Sequence, residues 1–311
     1  MRALPQKSPR GQANLRVQLL SGTDMRSPFE MLVRDGQLSV AQPVLNRTVL
    51  GEQERGEKTT SNSVRFLTFN IQAGISTTRY SQYVTRYWKQ LLPHGARARN
   101  LQSIGDLLHS YDLVALQEID AGSLRSGFVN QVEYLAHRAG FPYWYAQRNR
   151  DLGMFAQMGN GVLSRIAPHA LEDHKLPGAI PGRGALVLRL PFNGDELMVV
   201  LLHLSLGGRS QEAQLTYVQE LIKDEEHVVV LGDLNSPLSA VMNHSPLSNC
   251  GLQSHPQPSP TYPSWQPSRI IDQALVSESL EINEYDVLDC HLSDHRPVAV
   301  EVSLRGTRVT H

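Results

Sequence analysis

Six short apolar runs in this chain break off into residues of a kind that ligates hard metals or moves protons. Phe66–Phe69 runs into Asn70, Leu113–Leu116 into Gln117-Glu118, and Leu197–Leu202 into His203. Val228–Leu231 leads to Gly232-Asp233-Leu234-Asn235, Ile270-Ile271 to Asp272, and Cys290-His291-Leu292 to Ser293-Asp294-His295. Singly, each has an ordinary explanation: Asp and Asn open turns and cap helices, a Glu at a strand end is usually solvated, and a lone His in an apolar run is usually a hydrogen-bonded core residue. Together they gather carboxylates, carboxamides and imidazoles at one edge of a sheet structure, where α/β proteins place their sites. Carboxylate and amide oxygens suit Mg²⁺ or Mn²⁺, whereas zinc would favour more His and Cys. The neutral donors, Asn and His, then suit the non-bridging oxygens of a pentavalent phosphate.

These residues need strands to hold them. Val64–Asn70, Leu113–Glu118, Gly161–Ser164, Ala185–Leu190, Leu197–His203, Val228–Asp233, Ile271–Val276 and Val298–Ser303 each read as strands, short and bounded by turn residues. Amphipathic helices fit Arg97–His109, Val129–Arg138 and Gln211–Lys223. Many strands with few helices between them imply two sheets packed face to face with helices outside. Residues 1–62 differ: they are rich in Arg, Gln and Ser and end in the polar run GEQERGEKTTSNS, a linker by composition. Within them, Phe29–Val33 and Leu38–Val40 flank Asp35-Gly36, a two-residue hairpin signal. The expected division is therefore an N-terminal extension over 1–62 and a catalytic domain over 63–311.

The bulk numbers exclude little. Of 311 residues, 41% are hydrophobic and the net charge is −1, so no global field draws the chain to nucleic acid or anionic lipid, although a local basic rim would suffice. Cys250 and Cys290 lie far apart, with no zinc or disulfide pattern, as fits a reducing cytoplasm. The longest apolar stretch, Leu197–Leu206, is broken by His203 and Ser205 and falls short of the roughly 18 residues of a membrane span. The N-terminus has no apolar secretory core, but it carries Arg2, Lys7, Arg10 and Arg16 before its first acid, a bias shared by transit peptides and by solvated basic tails. A cytoplasmic monomer is the expectation.

With these residues placed, the chain resembles the endonuclease/exonuclease/phosphatase superfamily from about Val64 to Leu304. The motifs LTFNIQ, LVALQEID, NGVLSR, LLHLS, VVLGDLNS, SRIIDQALVS and LSDHRPVAVEV occur in the family's order. The resemblance implies an α/β fold, a four-layer α/β/β/α sandwich of two packed, mainly antiparallel sheets like that of deoxyribonuclease I. It also implies metal-assisted, in-line hydrolysis of a phosphate ester. Carried over position by position, Glu118 looks like the principal metal ligand with Asn70 beside it, and Asp294 like a further metal or water-network ligand. His295 matches the catalytic histidine and Asp272 the carboxylate that orients it. Asp233 resembles the group that positions or deprotonates water, next to Asn235 at the phosphate. His203 and Asn160 resemble transition-state contacts, with His203 a candidate to assist the leaving group. The base is Asp233 or the Asp272–His295 pair; geometry has to decide.

Substrate is less legible. Gln72 stands where abasic-site endonucleases of the family carry an Asp, which weakens that role. Tyr262 and Trp265, before Arg269, are placed to stack on a base or sugar, or to pack a proline-rich loop against the core. Ser76–Gly95 interleaves Arg79, Tyr80, Tyr83, Arg86, Tyr87 and Trp88, in the manner of a phosphate-backbone groove or of an amphipathic helix. Arg125, in a Ser-Gly loop after Glu118, is a candidate phosphate contact. The expected partner is a phosphate ester: nucleic acid, a phospholipid headgroup as in sphingomyelinases, or a small molecule. The contrasting expectation is a silent binding module that kept the fold; loss of Glu118, Asp233 or His295 would mark it, and all three are present.

Overall fold

A strand buried on both faces has no polar side, so it reads as an unbroken apolar run. All eight expected strands form in the computed structural model, which describes residues 32–34, 37–39, 62–74, 95–151, 157–179 and 181–306. In the extension, β1 (Leu32–Arg34) and β2 (Gln37–Ser39) pair antiparallel with Arg34 opposite Gln37, so the hairpin forms slightly out of step with the expected strands. The rest of the extension, the linker up to residue 61 and the basic-aromatic segment from Arg79 to Trp88 lie outside the described residues.

Two six-stranded sheets follow. The first contains β3 (Ser63–Asn70), β4 (Leu113–Asp120), β5 (Tyr143–Asp151), β6 (Gln157–Ser164), β13 (Leu280–Val287) and β14 (Val298–Leu304), in the order β13-β14-β3-β4-β6-β5. The second contains β7 (Ala170–Lys175), β8 (Gly184–Phe192), β9 (Asp195–His203), β10 (Val228–Asp233), β11 (Leu252–Gln253) and β12 (Asp272–Ser277), in the order β11-β12-β10-β9-β8-β7. Each sheet is antiparallel except for one central pair, β3 with β4 and β9 with β10. Four strands lack an apolar signature in the sequence: β5, β7, β11 and β13. They are the two edges of each sheet.

Among the described residues, four α-helices cover the outer faces: α1 (Gly95–Leu107), α2 (Gln131–Ala139), α3 (Gly208–Ile222) and α4 (Leu238–His244), the last unforeseen in the sequence. The second starts two residues later than expected because Asn130 caps it, its side chain accepting from the backbone N–H of Val132 and Glu133. Three apolar layers result. Phe66, Leu113 and Val300 meet Leu188, Leu201 and Val229 between the sheets. Leu67, Phe69 and Leu116 meet Ile104, Leu108 and Leu135 on one outside. Val187, Val200 and Leu202 meet Leu215, Val218 and Val241 on the other. This is the expected four-layer sandwich. Each fully buried Phe or Leu contributes about 1.5–3 kcal/mol, so two or three of them offset the several kcal/mol that burying one carboxylate costs. Among the described residues, no helix is long and apolar enough to cross a membrane.

Candidate active site

The two parallel pairs decide where the candidate residues meet. Because β3 and β4 run together, Asn70 pairs with Gln117, beside Glu118. Because β9 and β10 run together, His203 pairs with Asp233, and Asp233 in turn pairs with Asp272 at the start of antiparallel β12. Asp272 therefore opens its strand, within one residue of the expected Ile271–Val276. It reaches the same edge because that strand runs the opposite way. Glu118 lies in an irregularity of the β4–β6 pairing between Leu116 and Ile119, at φ +54. A left-handed backbone at a bulged glutamate costs energy and re-aims the side chain out of the ladder.

On one side of the site, His295 Nδ1 lies 2.9 and 3.0 Å from the two oxygens of Asp272, and its Nε2 lies 3.9 Å from Asp233 Oδ2. Burial alone would lower the imidazole's pKa, but the Asp272 and Asp233 charges outweigh it and push the value up to about 10. His295 is thus an imidazolium at neutral pH. Asp233 is held on one oxygen by Asn70 Nδ2 at 3.1 Å and on the other by the Asn235 backbone N–H at 2.9 Å. Burial, then the Asp272 charge, raises its pKa to about 7.

The other side is built oppositely. Arg183, in the turn just before β8, places Nη1 2.7 Å from both ring nitrogens of His203. A guanidinium only donates, so at most one ring nitrogen accepts at a time. Burial, then Arg183, then His295 hold the His203 pKa well below the ordinary imidazole range, leaving the ring neutral. Its Nε2 is 3.6 Å from Asp233 Oδ2 and 3.9 Å from Glu118 Oε1, so both sheets meet at this ring. Sequence reasoning missed Arg183 because it precedes an apolar run instead of ending one. The signal was there in PGRGALVLRL, where Gly182 adopts φ +112 immediately before the arginine.

Asn160, on β6, gives its Nδ2 to Gln147 Oε1 at 2.9 Å and to the Gly184 carbonyl at 3.0 Å, which ties the two sheets together. A phosphate contact from that amide requires one of these bonds to open. Asn235 Nδ2 donates to the Leu204 carbonyl at 3.0 Å. Asp294 is buried and accepts from Ser293 Oγ at 3.2 Å; burial first, and the Glu118 charge further, raise its pKa to about 6 although His295 opposes this. Arg125 belongs to the short 3-10 turn Leu124–Ser126, and its side chain is outside the described residues. That turn is pinned by buried Asp120, which accepts from Gly122 N, Ser123 N, Ser123 Oγ and Ser126 Oγ. The Ser-Gly loop after Glu118 is therefore braced by its own side chains.

Four carboxylates thus share a site with one imidazolium and one guanidinium, and two of them have raised pKa values. Such a surplus of buried negative charge, presented by hard oxygen donors, fits a divalent cation. Asp233, Asp272 and His295 each offer a ligand atom, all within 4.8 Å of one another, and form a group able to hold an ion. However, His295 Nδ1 spans both Asp272 oxygens, so that pair serves better as a hydrogen-bonded dyad. Glu118, with its side chain about one-third exposed, and Asp294 beside it are the freer oxygen donors.

Acids, carboxamides and two oppositely biased histidines at one edge of a two-sheet sandwich define a phosphoester hydrolase. The chain belongs to the Endonuclease/Exonuclease/phosphatase family, whose model matches residues 67–295. Solved structures agree on the fold. An endonuclease/exonuclease/phosphatase from Beutenbergia cavernae is 21% identical, covering 80% of this chain and 73% of its own, with a TM-score of 0.63. A mannosyl-6-phosphatase from Bacteroides thetaiotaomicron is 16% identical over 78% of this chain and 100% of its own, at a TM-score of 0.58. The D. rerio TDP2 in complex with a single-strand DNA product is 18% identical over 78% and 99%, at 0.56. No curated protein matches the sequence.

Proposed function

We propose that residues 63–311 are a Mg²⁺- or Mn²⁺-dependent phosphodiesterase domain, with 1–62 an extension that takes no part in the chemistry. The reading is carried by Asp233: a buried carboxylate with its pKa raised to about 7, fixed on both oxygens and facing two imidazoles. A base near neutrality can both take a proton from water and release it afterwards. His295, with its pKa near 10, already holds its proton, so it stabilises negative charge on phosphate and does not accept a proton. Asp272 orients it. His203, kept neutral, donates a hydrogen bond to a non-bridging oxygen; it has no spare proton for a leaving group. Arg183 adds positive charge on the same side. Glu118, Asn70 and Asp294 would hold the metal, which supplies charge neutralisation at the phosphate. Asn235 supports Asp233 through its backbone, with Asn160 and Arg125 as further phosphate contacts.

The mannosyl-6-phosphatase and the DNA-bound TDP2 among the similar structures support a phosphate-ester substrate without choosing one. The protein is taken as a cytoplasmic monomer, with Cys250 and Cys290 as free thiols. Bis-p-nitrophenyl phosphate tests the activity. Turnover with Mg²⁺ or Mn²⁺ that stops with EDTA, and in Glu118→Gln, is expected. A rate indifferent to chelation sinks the reading.

A further inference from the structure

One wall of the site has no task in this chemistry: the turn Thr261–Arg269. It is closed by paired backbone bonds, Arg269 N to the Tyr262 carbonyl at 2.9 Å and Tyr262 N to the Arg269 carbonyl at 3.1 Å. It is also stitched to the catalytic loop, with Ser264 N donating to the Asp294 carbonyl at 2.7 Å and Ser264 Oγ to the Ser293 carbonyl at 2.6 Å. The turn therefore has a fixed position relative to His295. Tyr262 packs its ring against the His295 imidazole, with centroids 4.8 Å apart and planes tilted by 50°. The Arg269 guanidinium lies over the same phenol ring, 5.7 Å from its centroid. With two partners already on the ring, this wall offers a ligand little open π face. It offers a cation and a hydroxyl.

That cation is exposed and, among the described residues, makes no ion pair with a carboxylate. The Tyr262 phenol under it feels the charges of Asp294, Asp233 and Glu118 as well as that of Arg269. An arginine in that position presents a planar fork that matches phosphate. The two ring contacts in series leave it no farther than about one sugar-sized unit from the imidazole. It is within reach of a group that neighbours the phosphate that His295 and Asp233 face.

We propose that Tyr262 and Arg269 form a subsite for a second phosphate, carried by the substrate on the unit adjoining the scissile ester. This rests on the hydrolase reading above, but binding tests it separately from turnover. Calorimetry in Mg²⁺ buffer at low salt would compare thymidine 3′,5′-bisphosphate with thymidine 5′-monophosphate, and fructose 1,6-bisphosphate with fructose 6-phosphate. The expected result is about tenfold tighter binding of the bisphosphate in at least one pair, the size of one charge-assisted contact. The pair that shows it identifies a nucleotide or a sugar-like source. Arg269→Ala is expected to remove that gain while changing the monophosphate Kd by less than about twofold, and Arg269→Lys to keep part of it. Equal affinities within both pairs, absence of binding, or a gain that survives in Arg269→Ala overturns the subsite. Tight bisphosphate binding without hydrolysis of bis-p-nitrophenyl phosphate would refute the hydrolase reading and leave the subsite standing.

Discussion

His295 and His203 stand on opposite sides of Asp233, 3.9 and 3.6 Å from the same carboxylate oxygen, and are tuned in opposite directions. Both are buried, so desolvation pushes both towards neutrality. What separates them is the group behind each ring: the Asp272 carboxylate behind one, the Arg183 guanidinium behind the other. Charges a few ångströms away in a low-dielectric pocket, Asp272 first and Asp233 with it, together overcome the effect of burial for His295, whereas Arg183 adds to it for His203. Residue type therefore says little about protonation here; the partner one step back assigns it.

The largest break in this contrast comes from the carboxylate between the rings. Asp233→Asn, or His295→Ala, is expected to lower kcat/KM by about 10³-fold, the scale of losing a general acid–base or charge-stabilising group. A loss under tenfold would exclude both from the chemistry. Asp272→Asn keeps the shape but removes the charge, and a drop of about 10²-fold is expected, as for other groups that orient a catalytic side chain. In the same variant the His295 ring should titrate well below 10 by NMR; an unchanged titration would show that Asp272 is not its cause. Arg183→Gln should bring the pair closer together: His203 titrates higher, while activity falls by about tenfold, one charged hydrogen bond's worth. If His203 does not move, the guanidinium is not what keeps it neutral.

The smallest effect lies in stability. Asp233 has its folded pKa raised from 3.8 to about 7, so the unfolded chain releases this proton first. Stability contributed by the protonated carboxyl is complete below 3.8 and lost as pH rises through about 7. Thermal melts in EDTA at pH 5 and pH 8 should therefore show Asp233→Asn gaining on the parent as pH rises, and Mn²⁺ should narrow the gap at pH 8. A gap independent of pH would mean that this carboxyl is not strained by burial.

The sequence was most informative where burial is complete. The eight interior strands are dominated by buried apolar residues and stand out, whereas β5, β7, β11 and β13 each leave one side of the ladder open and mix polar residues into the run, as YWYAQRNRD and LEINEYDV do. The site residues on strand ends were legible for the same reason: Asn70, Glu118, His203 and Asp233 end buried runs. Arg183 was not, because in an antiparallel neighbour the catalytic edge falls at the strand's beginning. The aromatic turn at Tyr262 was visible as a motif, but its partners were not. That His295 and Arg269 share its ring depends on contacts 33 and 7 positions along the chain, and no local pattern records them.

Glu118 carries one further consequence. Its φ of +54 is a conformation that glycine adopts freely and glutamate adopts at a cost of about 1 kcal/mol or more. The residue that stability alone would select at this bulge is therefore not the one the proposed chemistry needs. Glu118→Gly should melt higher than the parent while losing turnover, and a screen for thermostability applied to this protein would drift towards an inert enzyme through the most exposed acid of the candidate site.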